Sequence, residues 1–197
     1  MPESMDEIKK SLKKELDKSR YEHTLGVMYT AAALAMAYGG NIEQAMLAGL
    51  LHDCAKCIPN DEKFSMCKKN HIELTESEKE NPALIHAKLG AFLAKEKYHV
   101  TDESILHAIL VHTTGEPEMN LLDKIIYIAD YIEPNRNKAD NLPVVRPLSF
   151  QNLDAALFKI LGDTLDYLKE TGKKIDSLTE QTYEYYKSQK MKIDCKG

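Results

Sequence analysis

The sequence predicts an all-α protein, and three observations carry that reading. Apolar residues recur at the helical period nearly everywhere. Long stretches rich in Ala, Leu, Lys, Glu and Met alternate with short Gly, Pro and Asn punctuation. No run of alternating β-branched residues marks a strand, and neither a repeat nor a low-complexity tract interrupts the pattern. At roughly 150 residues per domain, 197 residues predict a single domain, long enough to bury a substantial core.

The elements follow in order. A first helix is expected over about residues 4–18, with a polar face of lysines. A second runs from about Arg20 to Tyr38 and stops at Gly39-Gly40. Asn41 reads as the next N-cap, with Gln44 at the capping-box position. That third helix carries Ile42, Ala45, Leu47, Leu50 and Leu51 and ends before Pro59. Shorter helices are expected at about 61–70 and 75–80. Another begins after Pro82 and reaches about Tyr98, and Thr101-Asp102 caps DESILHAILVH. After the loop TTGEPEMN comes the apolar helix LLDKIIYIADYI, ended by Glu133-Pro134. PNRNKADNLPVVRP is the longest expected irregular connection, and such loops often carry function. Two last helices are expected over about 149–170 and 177–191, the former with a packing stripe at Leu153, Leu157, Ile160, Thr164 and Leu168.

Charge and composition exclude several functions. Lys plus Arg number 26 against 31 Asp plus Glu, a net charge of −5. That balance lacks the basic field of a non-specific nucleic-acid binder, so no nucleic-acid partner is expected. A phosphate-bearing substrate would need a local positive centre, either a metal or a few placed cations. No apolar run reaches the roughly 18 residues that span a bilayer, and MPESMDEIKK lacks the order of a secretory signal. With only four cysteines (Cys54, Cys57, Cys67, Cys195), reduced thiols in a cytoplasm are expected.

The chemistry concentrates in a few side chains. His52-Asp53 sets two metal-ligand types side by side at the tail of an apolar helix. Read alone, the pair is more readily a satisfied histidine beside a solvated aspartate, since His-Asp pairs are common by chance. Gly49, Ala48 and Ala45 precede it, however, and small residues on that face let another helix approach closely. His23 stands in a helix that is apolar on most faces, with Gly26 one turn on, and a buried imidazole needs partners for its ring nitrogens. A metal answers that need, and so does a backbone carbonyl.

Asp130 interrupts LLDKIIYIADYI, where an uncompensated buried carboxylate is very costly. Asp123, seven residues earlier, suits a supporting position near that site or a solvated helix start. His86 lies beside small residues, and His112 ends ILHAILVH. His107 points about 140° away from His112 on the helix, so the two are not expected to share a site. His71 and His99 read as surface residues. The candidates therefore run His23, His52-Asp53, His86, His112, Asp130, each on or at the end of a different expected helix. A site between packed helices suits that order.

The ordered pattern H…HD…H…H…D, with HDCAK at its centre, resembles the HD-domain phosphohydrolase superfamily. More narrowly, RYEHTLGV, AGLLHDCAK, HAKLGAFLAK and ILVHTTGEPEMNLLDKIIYIADYIEPNR resemble the bacterial YqeK family, described as symmetrical diadenosine tetraphosphate hydrolases. The resemblance covers about residues 19–170. It implies a single HD-domain helical bundle over 1–197, with the C-terminal helix packing on the core and a metal site between core helices. It makes His23, His52, Asp53 and Asp130 ligands of one metal. His86 and His112 complete a second metal site, with Asp53 bridging. Histidine with carboxylate suits transition metals better than calcium or magnesium, and the resemblance puts iron first, with manganese or another transition metal as alternatives.

In that reading a bridging hydroxide attacks phosphorus in line. Lys56 resembles the lysine of HD-x-x-K motifs and is expected to act in catalysis and hold the scissile phosphate. Only three arginines are present (Arg20, Arg136, Arg146). Arg136, in the family-like EPNR, is the favoured phosphate ligand and Arg146 the weaker one. Thr113, Thr114 and Gly115 offer hydroxyl and N–H groups to phosphate, with a plain helix C-cap as the competing role for Gly115. Cys54 and Cys57 read as packing residues. Tyr183, Tyr185 and Tyr186 read as core or dimer contacts, and a homodimer is compatible with a small helical enzyme. The nucleotide-hydrolase reading competes with other HD activities (a nucleotidase or alarmone hydrolase), a di-iron oxygenase, and a non-catalytic nucleotide-binding regulator.

Overall fold

The structure, a computed structural model, describes residues 4–172 and 174–194, with side chains of the last helix described to residue 189. Among the described residues there are eleven α-helices and no strand. They are α1 (Met5–Glu15), α2 (Lys18–Tyr38), α3 (Ile42–Leu51), α4 (Asn60–Lys69), α5 (Glu76–Glu80), α6 (Ile85–Glu96), α7 (Glu103–Val111), α8 (Leu121–Ile132), α9 (Leu142–Gln151), α10 (Leu153–Glu170) and α11 (Ser177–Asp194). No described helix is long and apolar enough to cross a membrane. Cys195 lies outside the described residues.

Caps set most boundaries. Ser4 closes a capping box with Glu7, and Asp17 accepts from Arg20 N at 2.8 Å, so α1 ends before it and α2 starts after it. Gly39 ends α2 in the left-handed conformation, φ +69°. Asn41 caps α3 as expected, but Gln44 turns away from a capping box. Its Nε2 donates to Asp102 Oδ2 at 2.6 Å, tying the start of α3 to the N-cap of α7. The helix α3 also stops earlier than expected, at Leu51, and residues 52–57 form tight turns. The cause is local: His52 Nδ1 lies 2.7 Å from Gly49 O, the acceptor that one more helical residue would use.

The main departure is α9, which takes up residues 142–147 of the expected irregular connection. Pro143 sits in its first turn, where an N–H would be unbonded in any case. Pro147, inside the helix, removes one bond and crowds the carbonyl four residues back, yet the helix runs on to Gln151. Asn152 then breaks what reads as one helix into two: it leaves the helical conformation, φ −152°, and its side chain caps α10 by accepting from Ala155 N at 3.0 Å.

One large core gathers Leu12, Val27, Met28, Leu50, Ile109, Ile126, Val145, Leu157 and Tyr186, drawn from α1, α2, α3, α7, α8, α9, α10 and α11. A smaller cluster of Ala55, Cys67, Ile85 and Leu89 lies under α4 and α6. The helices α2 and α3 approach each other closely in the molecule's centre. A Cβ on Gly49 would stand 3.0 Å from Met28 Cα and 3.2 Å from Met28 N. The small face read at Ala45, Ala48 and Gly49 therefore brings α3 directly onto α2, and it carries His52 toward His23.

Candidate metal centre

Five helices deliver one polar cluster into this core. His23 projects from α2, His52 is the C-cap of α3 with Asp53 in the turn behind it, His86 lies on α6, His112 is the C-cap of α7, and Asp130 lies on α8. His52 is fully buried and Asp53, His86 and His112 are nearly so. About a fifth of the Asp130 side chain stays open to solvent. All six residues read from the sequence as candidates thus meet in one place.

Each imidazole is oriented by its Nδ1. His52 Nδ1 lies 2.7 Å from Gly49 O, and His112 Nδ1 lies 2.7 Å from Ile109 O. His86 Nδ1 meets Ala83 O, and His23 Nδ1 lies 3.0 Å from Glu133 Oε1. A carbonyl or carboxylate oxygen only accepts, so Nδ1 carries the proton and Nε2 keeps its lone pair. All four Nε2 atoms face the cluster.

The two oxygens of Asp53 divide the centre. Oδ2 lies 3.5 Å from His52 Nε2 and 3.8 Å from His23 Nε2. Oδ1 lies 3.1 Å from His86 Nε2 and 3.7 Å from His112 Nε2. Asp130 Oδ1 joins the first half, 3.0 Å from His23 Nε2 and 3.8 Å from His52 Nε2. The ligand atoms of His23, His52 and Asp130 all lie within 4.8 Å of one another, as do those of His52, Asp53 and His112.

This donor set fits divalent cations. His23 Nε2, His52 Nε2 and Asp53 Oδ1 are buried atoms without a hydrogen-bond partner, an arrangement that is costly unless something positive satisfies them. The lone-pair nitrogens of His86 and His112 face each other at 3.1 Å and would repel without a cation or proton beside them. Burial raises the Asp53 carboxyl, but His52, His112 and His86 around it hold it well below the usual carboxylate range. Burial likewise opposes ionisation of Asp130, and His23, His52 and Arg136 outweigh it. Burial pushes His86 down to about 4, so its ring is neutral near neutral pH, as a ligand must be.

Cations frame the cluster. Lys56 Nζ reaches 3.0 Å from His86 Nε2 and 3.8 Å from Asp53 Oδ1, and burial lowers its pKa. Thr113 Oγ1 stands 3.2 Å from His112 Nε2. Arg136 Nη2 pairs with Asp130 Oδ1 at 2.7 Å. Two expected phosphate ligands are used elsewhere. Gly115 donates its N–H to Val111 O at 2.8 Å in a left-handed turn, φ +63°, so it terminates α7 and has no amide to offer. Arg146 spends its guanidinium on the carbonyls of Ile132, Glu133 and Arg136 at 2.7–2.9 Å and clamps the end of α8.

Two residues at the centre were not legible as site residues. Arg20 Nη1 lies 2.6 Å from Asp53 Oδ2, although the sequence marks it only as a helix start. Glu133, buried beneath His23, reads as a helix end before Pro134. Its signal is position: it follows Asp130 by three residues, on the same side of the helix. Gly26 makes room for it, since a Cβ there would overlap Glu133 Oε2.

Other candidates lie apart. Asp123 closes a capping box with Asn120 at the buried start of α8 and meets His107 Nδ1 at 3.0 Å, away from the centre. Cys54 is buried, with its thiol pushed up to about 12. Cys57 is exposed, its thiol toward Asp17 Oδ2, so it is not a packing residue as expected. Tyr186 is core, beside Tyr185, and Tyr183 stacks on Phe158 at 5.4 Å.

An all-helical bundle with a buried histidine and aspartate centre built on adjacent His52 and Asp53 defines the HD class of protein. The model of the HD domain family matches residues 20–135, and the chain belongs to that family. A Bacillus subtilis protein named symmetrical bis(5'-nucleosyl)-tetraphosphatase is 38% identical over 88% of this chain and 92% of its own length. A Staphylococcus aureus protein of the same name is 30% identical over 93% of this chain and 94% of its own. A Clostridium acetobutylicum structure, described as a predicted HD superfamily hydrolase involved in NAD metabolism, superposes with a TM-score of 0.92 at 38% identity, covering 96% of this chain and 100% of that one.

Proposed function

We propose that this protein is a metal-dependent hydrolase that splits dinucleoside tetraphosphates symmetrically, taking diadenosine tetraphosphate to two ADP. The carrying observation is the pair of donor sets that share Asp53, each built from imidazoles whose Nδ1 is already engaged. The names of relatives aligned over most of both chains supply the substrate. His23, His52, Asp53 and Asp130 would hold one cation, and His86 and His112 with Asp53 the other. Iron is the first choice, with manganese or another transition metal as alternatives. Bound there, such a pair would supply an activated water and neutralise charge on a phosphoryl oxygen.

The chain's own groups do the rest. Lys56, at the His86 side of Asp53, binds the scissile phosphate and offsets charge on the departing oxygen. Thr113 offers a hydroxyl at the same edge. Arg136, half-exposed beside Asp130, takes a neighbouring phosphate. Arg20 holds the Oδ2 side of Asp53 and steadies the shared carboxylate. Burial of the histidines keeps bulk water from their rings, while Asp130 and Lys56 stay partly open to solvent. Free Cys54, Cys57 and Cys67 suit a reducing, cytoplasmic setting.

Product analysis tests the reading. Metal-loaded protein is incubated with diadenosine tetraphosphate, mononucleotides, alarmones and NAD, and products are separated by chromatography. Two equivalents of ADP from the dinucleotide are expected. AMP plus ATP, or turnover confined to another member of the panel, would overturn it.

A further inference from the structure

The outward faces of α2 and α9 carry no charge. On α2 the solvent side follows one helical stripe through Tyr29, Ala33 and Met36. Tyr29 is 60% exposed and Met36 63%. No Asp, Glu, Lys or Arg occurs from Thr24 to Tyr38, so the exposed side is as uncharged as the buried ones. On α9 the solvent side shows Pro143, Val144, Pro147, Phe150 and Gln151, with Val144 57% exposed and Phe150 47%. The one charge of α9, Arg146, is turned onto the carbonyls of Ile132, Glu133 and Arg136.

The two stripes are neighbours. Tyr38 Oη donates to Ser149 O at 2.8 Å and joins the ends of α2 and α9. Toward the other end, the turn that Arg146 clamps lies against α2, with Asn135 Nδ2 standing 3.4 Å from where a Gly26 Cβ would be. Tyr29, Met36, Val144 and Phe150 are four of the eight large apolar side chains that stand exposed among the described residues. Single exposed apolar residues are ordinary, whereas a set gathered on two adjoining helices marks a contact surface.

We propose that this face docks a second copy of the chain, α2 and α9 of one protomer against α2 and α9 of its partner about a twofold axis. Charge selects the occupant. Two chains of net charge −5 repel wherever their carboxylates oppose each other, and this face brings none to the contact. An anionic partner, in turn, finds no cation on it. Polar residues border the stripes, Glu22 before Tyr29 and Gln151 after Phe150, which gives the uncharged centre and polar rim of a protein interface. The area agrees. Taking roughly 150–250 Å² for a large side chain, the four present roughly 400 Å² at their observed exposures. Counted on both copies, that is about half of the roughly 1,600 Å² of a standard interface, close to its apolar share. Neither stripe holds a residue of the metal centre, so the pairing stands apart from the functional reading.

The test is light scattering on the metal-loaded full chain across the micromolar range, with one variant on each helix. The wild type is expected to show the mass of two chains. Met36→Glu and Val144→Glu, which place like charges across the axis, are each expected to weaken the pair about tenfold or more while helical content and metal content stay unchanged. Leu121→Glu, at an exposed apolar position on α8, is expected to remain paired. A single-chain mass for the wild type would overturn the proposal, as would a pair that survives both α2 and α9 variants or one that Leu121→Glu splits equally. Flotation of a single-chain wild type with phosphatidylcholine vesicles, abolished in Met36→Glu, would give the face to a lipid surface instead.

Discussion

His23 rests its Nδ1 on Glu133, 3.0 Å away, and Glu133 fits there because residue 26 has no Cβ. The contact fixes which ring nitrogen of His23 faces the centre. Glu133→Ala is expected to weaken metal binding about 10–100-fold, the usual cost of losing the partner behind a ligand. Gly26→Ala should do the same by displacing Glu133. Titration against a competing chelator checks both, and unchanged affinity in both would contradict the positioning role.

Gly49 is the second close approach. Backbone atoms of Met28 and Val27 stand 3.0–3.3 Å from where its Cβ would be, and backbone cannot rotate aside. Gly49→Ala is therefore expected to prise α3 from α2, at about 1–3 kcal/mol. Denaturant unfolding reads that loss, and metal content should fall with it because His23 and His52 stand on opposite sides of the joint.

His107 lies between Glu116, 3.0 Å from Nε2, and Asp123, 3.0 Å from Nδ1. Burial disfavours its charge, but hydrogen bonding and charge from Asp123, followed by Glu116, raise its pKa above 6.5. The stabilisation is thus complete below about pH 6.5 and is lost as pH rises through the raised folded value. The imidazole is a third exposed, so the effect is no more than about 1 kcal/mol. Unfolding of wild type and His107→Ala should differ in mildly acid buffer and converge in alkali. A gap that widens with pH would contradict this.

Arg146 serves three backbone carbonyls. Arg146→Ala is expected to destabilise the protein by about 1–3 kcal/mol, since three carbonyls lose their donor, those of Ile132 and Glu133 in part-buried surroundings. Its melting temperature should fall while KM for substrate changes little. A pure KM effect would return Arg146 to the phosphate site.

What the sequence reveals and hides follows from physics. Asp130 is visible because a carboxylate in LLDKIIYIADYI has no cheap place in a core, and His23 and His52 are visible because small residues flank them. The helix α9 is hidden because Pro143 and Pro147 read as breaks, although a first-turn proline costs no bond and a helix whose Leu142, Val145 and Ser149 are buried tolerates a later one. Arg20 and Glu133 are hidden because a charge near a helix end normally faces water. Only tertiary packing turns them inward, to Asp53 and His23.

The central claim is that Asp53 is shared between two cations. Elemental analysis of the purified chain beside Asp53→Ala tests it most directly. Two transition-metal ions per wild-type chain, and loss of both in the variant, are predicted. Full metal content in Asp53→Ala would contradict the account.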